Sequence, residues 1–362
     1  MRVIIAGGGT GGHIFPAIAI ANALKEQQPG IEILFVGAKG KMEMEKVPQA
    51  GYKIVGLDIA GLNRSSLIKN IGLPFKLVKS FFQVKNIFKS FKPDAVIGVG
   101  GYSSFPVLRY AQAKGIHSFI HESNSFAGKS NILLGKKASK VFTGTDGMEK
   151  FFPASKIMVT GNPVRSVIAR SAVTREEGLQ FFGLSPQQKT VLVVGGSLGA
   201  KTINETIDKH LDELLQSGLQ VIWQTGKPYA ATAKARVQGK TGVWANDFIT
   251  DMQFAYAAAD IIVARAGAMT VAEICVVQKP ALFVPYPYAA EDHQTANAKA
   301  LVDKGAAIMV KDNEAIEKAV PMLIALAGDE ARQLEMKAQL ARLAITDADS
   351  KIAKTVLTVT VT

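Results

Sequence analysis

Short apolar runs ending in glycine recur along the chain, and each is followed by a longer stretch with a helical repeat. RVIIAGGG reads as a buried strand entering a glycine turn, and HIFPAIAIANALKEQ as the helix after it. IEILFVG, PDAVIGVGG and HSFIHES read as further strands. Strand, glycine turn and helix in alternation predict a parallel sheet covered by helices. A second copy of the pattern starts after residue 163. TVLVVGGSLGA is strand and glycine loop, KTINETIDKHLDELL is helix, and LQVIWQTG, ADIIVARAG and PALFVPYP are strands closed by glycine or proline. The expectation is an α/β protein of two facing Rossmann-like, doubly wound domains, 1–162 and 163–346, hinged near GNPVR. A chain of 362 residues agrees with two domains. The pattern leaves open whether the last helical stretch, from about Asp347, packs on the first domain. Ligands of such sheets bind beyond the carboxyl ends of the strands, so two facing sheets suit two substrates.

One helical stretch has more apolar positions than a core face needs. In FKLVKSFFQVKNIFKSFK, residues 75–92, Leu77, Phe81, Val84, Ile87, Phe88 and Phe91 fall in one arc of about 120° at helical spacing. Pro74 suits the first turn. Phe75, Val78 and Phe82 lie on a different arc, edged by Lys79, Lys85 and Lys89. A second apolar stripe bordered by lysines suits the headgroup boundary of an anionic membrane. A merely solvated face and a nucleic-acid contact are the alternatives, but no nucleic-acid module is evident.

Charge sharpens that reading. Residues 1–162 hold 21 basic and 9 acidic side chains, a net +12, whereas the rest of the chain balances. Between Ile59 and Pro93 there is no acid, while Arg64, Lys69, Lys76, Lys79, Lys85, Lys89 and Lys92 all fall there. The first half therefore expects an anionic partner. No run approaches the ~20 apolar residues that span a bilayer, and MRVIIAGGGTGG lacks the shape of a signal peptide. The single cysteine, Cys275, excludes an intrachain disulfide framework and fits a reducing compartment.

GGGTGGHIFP satisfies G-x-G-x-x-G through Gly7, Gly9 and Gly12. Dinucleotide binding also asks for an acid at the end of the second strand, and FVGAKG offers none at Gly37 or Ala38. What remains is a glycine turn at a helix N-terminus, suited to an oxyanion or a sugar hydroxyl, with His13 on the first helical turn as a candidate base. GGSLGA supplies a matching turn, where Ser197 and the backbone amides suit a diphosphate and Arg165 offers a forked guanidinium. In RAGAMTVAE, Glu273 sits where a carboxylate accepts from a ribose diol. Gln294 and Asn297, three apart on one helical face, suit sugar hydroxyls. In HESNSFAG, His121, Glu122 and Asn124 end a strand, and Glu122 is a second candidate base. The histidines are scattered, and the only D-x-D pair, Asp347 with Asp349, lies away from any expected sheet edge, so neither a metal site nor a cofactor is expected. A P-loop is absent.

Taken together, AGGGTGGHIFPA, GVGGYSSFP, HESNSFAG, GNPVR, VVGGSLGA, RAGAMTVAE and ALFVPYPYAAEDHQTANA closely resemble the MurG-type transferases of peptidoglycan synthesis, in the family's order and over nearly the whole chain. The resemblance implies a GT-B fold. It implies inverting transfer of N-acetylglucosamine from UDP-GlcNAc to the muramoyl 4-hydroxyl of a lipid-linked acceptor, peripherally on the cytoplasmic face of the bacterial inner membrane. It implies donor-sugar contacts at Thr10, Gly11, Gly12, Asn124 and Gln294, and diphosphate contacts at Arg165 and Ser197. It further implies uracil reading by the main chain of Ile249, and a nucleoside turn of Ala268, Met269, Thr270, Val271, Ala272 and Glu273, with Glu273 on the ribose. His13 matches the family's proposed general base. Two positions depart from the pattern: Ala266 stands where a serine is expected, and Leu198 where a glutamine is usual. Another lipid acceptor, a UDP-GlcNAc 2-epimerase and a membrane-bound UDP-sugar sensor remain alternatives at this point, with a dehydrogenase the weakest.

Overall fold

The computed structural model describes residues 1–61, 72–196, 198–289 and 292–361. Ser197, Arg64 and Lys69, singled out above, lie outside the described residues. The chain divides into two compact units, Met1–Arg165 with Asp347–Thr362, and Ser166–Thr346. Each is built on a parallel sheet, as the sequence pattern predicts.

The first unit holds β1 (Arg2–Ala6), β2 (Glu32–Ala38), β3 (Lys53–Leu57), β4 (Ala95–Gly98), β5 (His117–Glu122), β6 (Lys140–Thr143) and β7 (Ile157–Val159), in the order β3-β2-β1-β4-β5-β6-β7. β1 lies between β2 and β4. Its Val3 and Ile5 enter one core while Ile4 and Ala6 enter another. Burial on both faces is why this strand reads as an unbroken apolar run. Helix α1 (Gly11–Gln27) and the C-terminal helix Ala348–Val361 supply the first core through Ile14, Ile20, Leu24, Ile352 and Val356. The seven-residue α2 (Glu43–Gln49) follows β2. The second core is closed by α3 (Leu73–Phe91), α4 (Ser104–Ala113) and α5 (Lys129–Gly135).

In α3 the buried positions are Ser80, Val84, Ile87 and Phe88. Residues 74–79 are all exposed, so Leu77, although on the core arc, is exposed as well. Phe75 is 78% and Phe82 64% exposed, and Val78 is exposed with them. Lys85 and Lys89 are exposed too. Lys79 is exposed as well, and its ammonium sits 2.9 Å from Asp58, which Lys39 also meets at 2.8 Å. Hydrogen bonds from Lys39 and then Lys79 hold the Asp58 carboxyl down at about 2. Gln83 adds a reciprocal pair with the Asp58 main chain and carboxylate, so Lys79 helps tie α3 to the end of β3.

The second unit holds β8 (Lys189–Val194), β9 (Leu219–Gln224), β10 (Val243–Asn246), β11 (Ile261–Ala264), β12 (Ala281–Phe283) and β13 (Ile308–Met309), in the order β10-β9-β8-β11-β12-β13. Its buried cluster runs from Val191 and Val193 through Trp223 to Leu323 and Met336. Among the described residues no helix is long and apolar enough to cross a membrane.

Candidate active site

In the first unit, two glycine loops meet at the carboxyl ends of β1 and β4. Gly8 donates its N–H to the Gly100 carbonyl at 3.2 Å. A Cβ on Gly101, whose φ is +86°, would lie 2.4 Å from the Gly8 oxygen. The loops therefore touch backbone to backbone, a contact that requires glycine. From this junction α1 starts at Gly11 with Thr10 as its N-cap residue, whose side chain makes no capping bond. Gly11 and Gly12 thus present amides in the first helical turn, where an anion or a polar oxygen is favoured.

His13 stands on that turn. Its Nδ1 lies 3.1 Å from the Gly8 carbonyl oxygen and 3.3 Å from Thr10 Oγ1. A carbonyl only accepts, so Nδ1 carries the proton and the neutral ring keeps its lone pair on Nε2. The Nε2 edge faces Gly100, where a Cβ would come within 2.9 Å of it. Burial lowers the His13 pKa below 6.5, opposed in turn by Glu122, the Gly8 hydrogen bond and Glu43. The imidazole is thereby kept neutral near neutral pH, ready to accept a proton.

Glu122, the other candidate base, is placed differently. Its Oε1 accepts from the Asn124 main chain at 3.1 Å and from Asn124 Nδ2 at 3.2 Å. Its Oε2 accepts from Gly128 N at 3.0 Å and Asn131 Nδ2 at 2.9 Å. Four donors fill a buried carboxylate whose lone pairs a base would need. This corrects the expectation for Glu122: it folds the loop after β5 and sets Asn124 in place. His121 is fully buried, and that burial holds its pKa down to about 4; it does not sit at a rim. Arg165 stacks its guanidinium 4.5 Å above the centre of the Phe15 ring, which sits on α1 two residues after His13.

One residue of this site escaped the sequence reading. Glu43, the first residue of α2, turns back beneath the glycine turn and accepts from Gly9 N at 2.8 Å and from Ala38 N at 2.9 Å. The missing acid at the end of β2 is supplied by the next helix, but it binds protein amides.

In the second unit, the helix Ala268–Val277 starts after β11 with no side-chain cap. Ala268, Met269, Thr270, Val271 and Ala272 are half-exposed, and Glu273 one turn on is buried. Tyr256 donates its hydroxyl to Glu273 Oε2 at 2.8 Å, from the helix Met252–Ala258. Ile249 is buried, and its N–H is taken by Gln224 Oε1 at 3.0 Å. The Gln224 Nε2 donates to the Gly196 carbonyl at 3.0 Å. Gln224 thus links the glycine turn to the Ile249 loop. Neither Gln224 nor Tyr256 carried a sequence signal. Gln294 accepts from Tyr286 N at 2.9 Å. Asn297 corrects its expectation: it is buried and donates to the Ala266 carbonyl at 3.1 Å. Ala266 itself is fully buried, and Leu198 is exposed. Among the described residues no group of three or more His, Cys, Asp or Glu side chains converges as a metal site would. Burial raises the Cys275 thiol to about 11, which leaves it unreactive.

Residues 3–143 match the glycosyltransferase family 28 N-terminal domain, and residues 190–355 its C-terminal domain. The chain is 51% identical over 345 residues to the UDP-N-acetylglucosamine–N-acetylmuramyl-(pentapeptide) pyrophosphoryl-undecaprenol N-acetylglucosamine transferase of Parabacteroides distasonis, covering 95% of this chain and 94% of the relative. The transferase of the same name from Phocaeicola vulgatus is 51% identical over 360 residues, covering 98% and 96%. The crystal structure of Acinetobacter baumannii MurG superposes with a TM-score of 0.77 at 32% identity, over 99% of both chains.

Proposed function

The chain belongs to the MurG-type transferases of glycosyltransferase family 28, and we propose that it moves N-acetylglucosamine from UDP-GlcNAc to the muramoyl 4-hydroxyl of undecaprenyl-diphosphate-linked MurNAc-pentapeptide, converting lipid I to lipid II. The observation that carries the chemistry is the His13 imidazole, protonated at Nδ1 by its bond to Gly8 and bare at Nε2. Nε2 takes the proton of the acceptor hydroxyl as its oxygen attacks the anomeric carbon. The bond from that carbon to the UDP oxygen breaks, and UDP leaves with the electron pair. One displacement inverts the centre, so an α-linked donor gives a β-linked product.

Donor binding is assigned to the second unit. Ala268, Met269, Thr270, Val271 and Ala272 are assigned to the nucleoside. Ser197 and Arg165 are assigned to the diphosphate, where they stabilise the charge that gathers as UDP leaves, the main chain of Ile249 to the uracil and Gln294 to the sugar. Glu273, held by Tyr256, takes the ribose diol. Thr10, Gly11, Gly12 and Asn124 are also assigned to the donor sugar.

The acceptor is lipid-anchored, so the enzyme works at a surface. The exposed Phe75, Leu77, Val78 and Phe82 at the start of α3, flanked by Lys85 and Lys89, are assigned to the anionic cytoplasmic leaflet of the inner membrane. The test is product analysis after incubation with UDP-GlcNAc and lipid I. The reading expects an acceptor heavier by one N-acetylhexosamine in β linkage. Epimerised donor without transfer, or transfer only to an acceptor lacking the muramoyl sugar, would reject it.

A further inference from the structure

Glu43 is the most buried carboxylate of its unit, 1% exposed, and forms no ion pair among the described residues. An acid so placed is retained only where donors meet it. Both of its oxygens are used on backbone amides, Gly9 N on the turn after β1 and Ala38 N at the end of β2. Its carboxylate lies flat on Gly8, where a Cβ would come within 2.3 Å of it, and its stem fills the space over Gly37. Gly8 is thus pressed from one side by Glu43 and bonded through its N–H to Gly100, and its carbonyl meets His13 Nδ1.

We propose that Glu43 is a positioning residue for the transfer reaction: by clamping Gly9 and Ala38 it fixes the turn whose Gly8 carbonyl holds His13 in the Nδ1–H tautomer. This rests on His13 acting as the base. Free imidazole in water favours the other tautomer, with the proton on Nε2, which has no lone pair there to receive the acceptor's proton. A ring nitrogen's state is set by what its partner nitrogen bonds. Glu43 therefore acts on the chemistry through two steps of backbone geometry, without touching substrate.

The experiment is long-range 1H–15N correlation on the full-length protein, where the signals of the five histidines are assigned by loss of one set in His13→Gln. The wild type is expected to show a protonated Nδ1 and a bare Nε2 at His13. In Glu43→Gln the amide nitrogen opposes one of the two N–H donors, the clamp opens, and the His13 signals move to the Nε2–H form. The kcat falls roughly 10- to 100-fold, as for a misplaced catalytic group, while the affinity for UDP is unchanged. Glu43→Asp, too short to span both amides, gives a mixture of tautomers and an intermediate kcat. An unaltered tautomer in Glu43→Gln overturns the proposal, whatever happens to kcat. Loss of amide dispersion in both variants also overturns it, in favour of a purely structural role. If His13→Gln retains wild-type turnover, the base assignment fails instead.

Discussion

The Nδ1 atom of His13 and the carbonyl oxygen of Gly8 lie 3.1 Å apart, and this pair decides which ring nitrogen is free to take a proton. The glycine turn of the first unit is therefore more than a site for an oxyanion. It orients the His13 ring, and its shape depends on the contacts behind it.

The two candidate bases separate by pH. Burial disfavours the imidazolium, so the folded pKa of His13 lies below 6.5. Above that pKa the ring is neutral and competent, and activity falls as pH drops through it. The acid limb of the pH–rate profile is thus expected below 6.5. His13→Ala should lose roughly 10²- to 10⁴-fold in turnover and lose that limb. Glu122→Gln should keep the limb. Its cost is stability, about 1–3 kcal/mol in a thermal or urea melt, because an amide nitrogen would face donors now accepted by a carboxylate.

Gly100→Ala probes the space beside Nε2. The added methyl would stand 2.9 Å from Nε2 on a backbone with φ of +95°. Steady-state kinetics should show kcat lower by about 10- to 100-fold, with UDP affinity, read by calorimetry, unchanged. Unaltered kcat would place the reacting proton elsewhere.

Tyr256→Phe removes the hydroxyl 2.8 Å from Glu273. UDP should bind about tenfold more weakly, the effect of losing a charge-assisted hydrogen bond of ~1.5 kcal/mol. Binding of a 2′,3′-dideoxy analogue, which offers no diol to Glu273, should be the same for wild type and variant. An equal loss for both ligands would point to general loosening of the unit.

Phe75→Asp and Phe82→Asp replace the most exposed rings of α3. Each buried phenyl group is worth about 1.5–3 kcal/mol. Co-sedimentation with anionic vesicles should drop at least tenfold for the double variant, while transfer to a detergent-solubilised acceptor is retained. Unchanged sedimentation would detach α3 from the membrane reading.

Much of the fold was legible because buried parallel strands are apolar on both faces: β1 and β4 announce themselves as runs such as VIIA and AVIG that lead into glycines. The residues that organise the site were not. Glu43 acts on Gly9, 34 positions away, and Gln224 joins Gly196 to Ile249 across 28 and 25 positions. Such partners are backbone atoms brought near by strand order, and no local spacing marks them. Asn297 misled because helical periodicity groups residues by face without saying which face turns inward. Leu77 misled for the complementary reason, since the buried positions of α3 begin only at Ser80.

The account is tested most directly by a crystal structure with UDP-GlcNAc bound. It predicts the ribose diol on the Glu273 carboxylate and the diphosphate beside Ser197 and Arg165. A nucleotide seated instead on the glycine turn of residues 7–12 would contradict it.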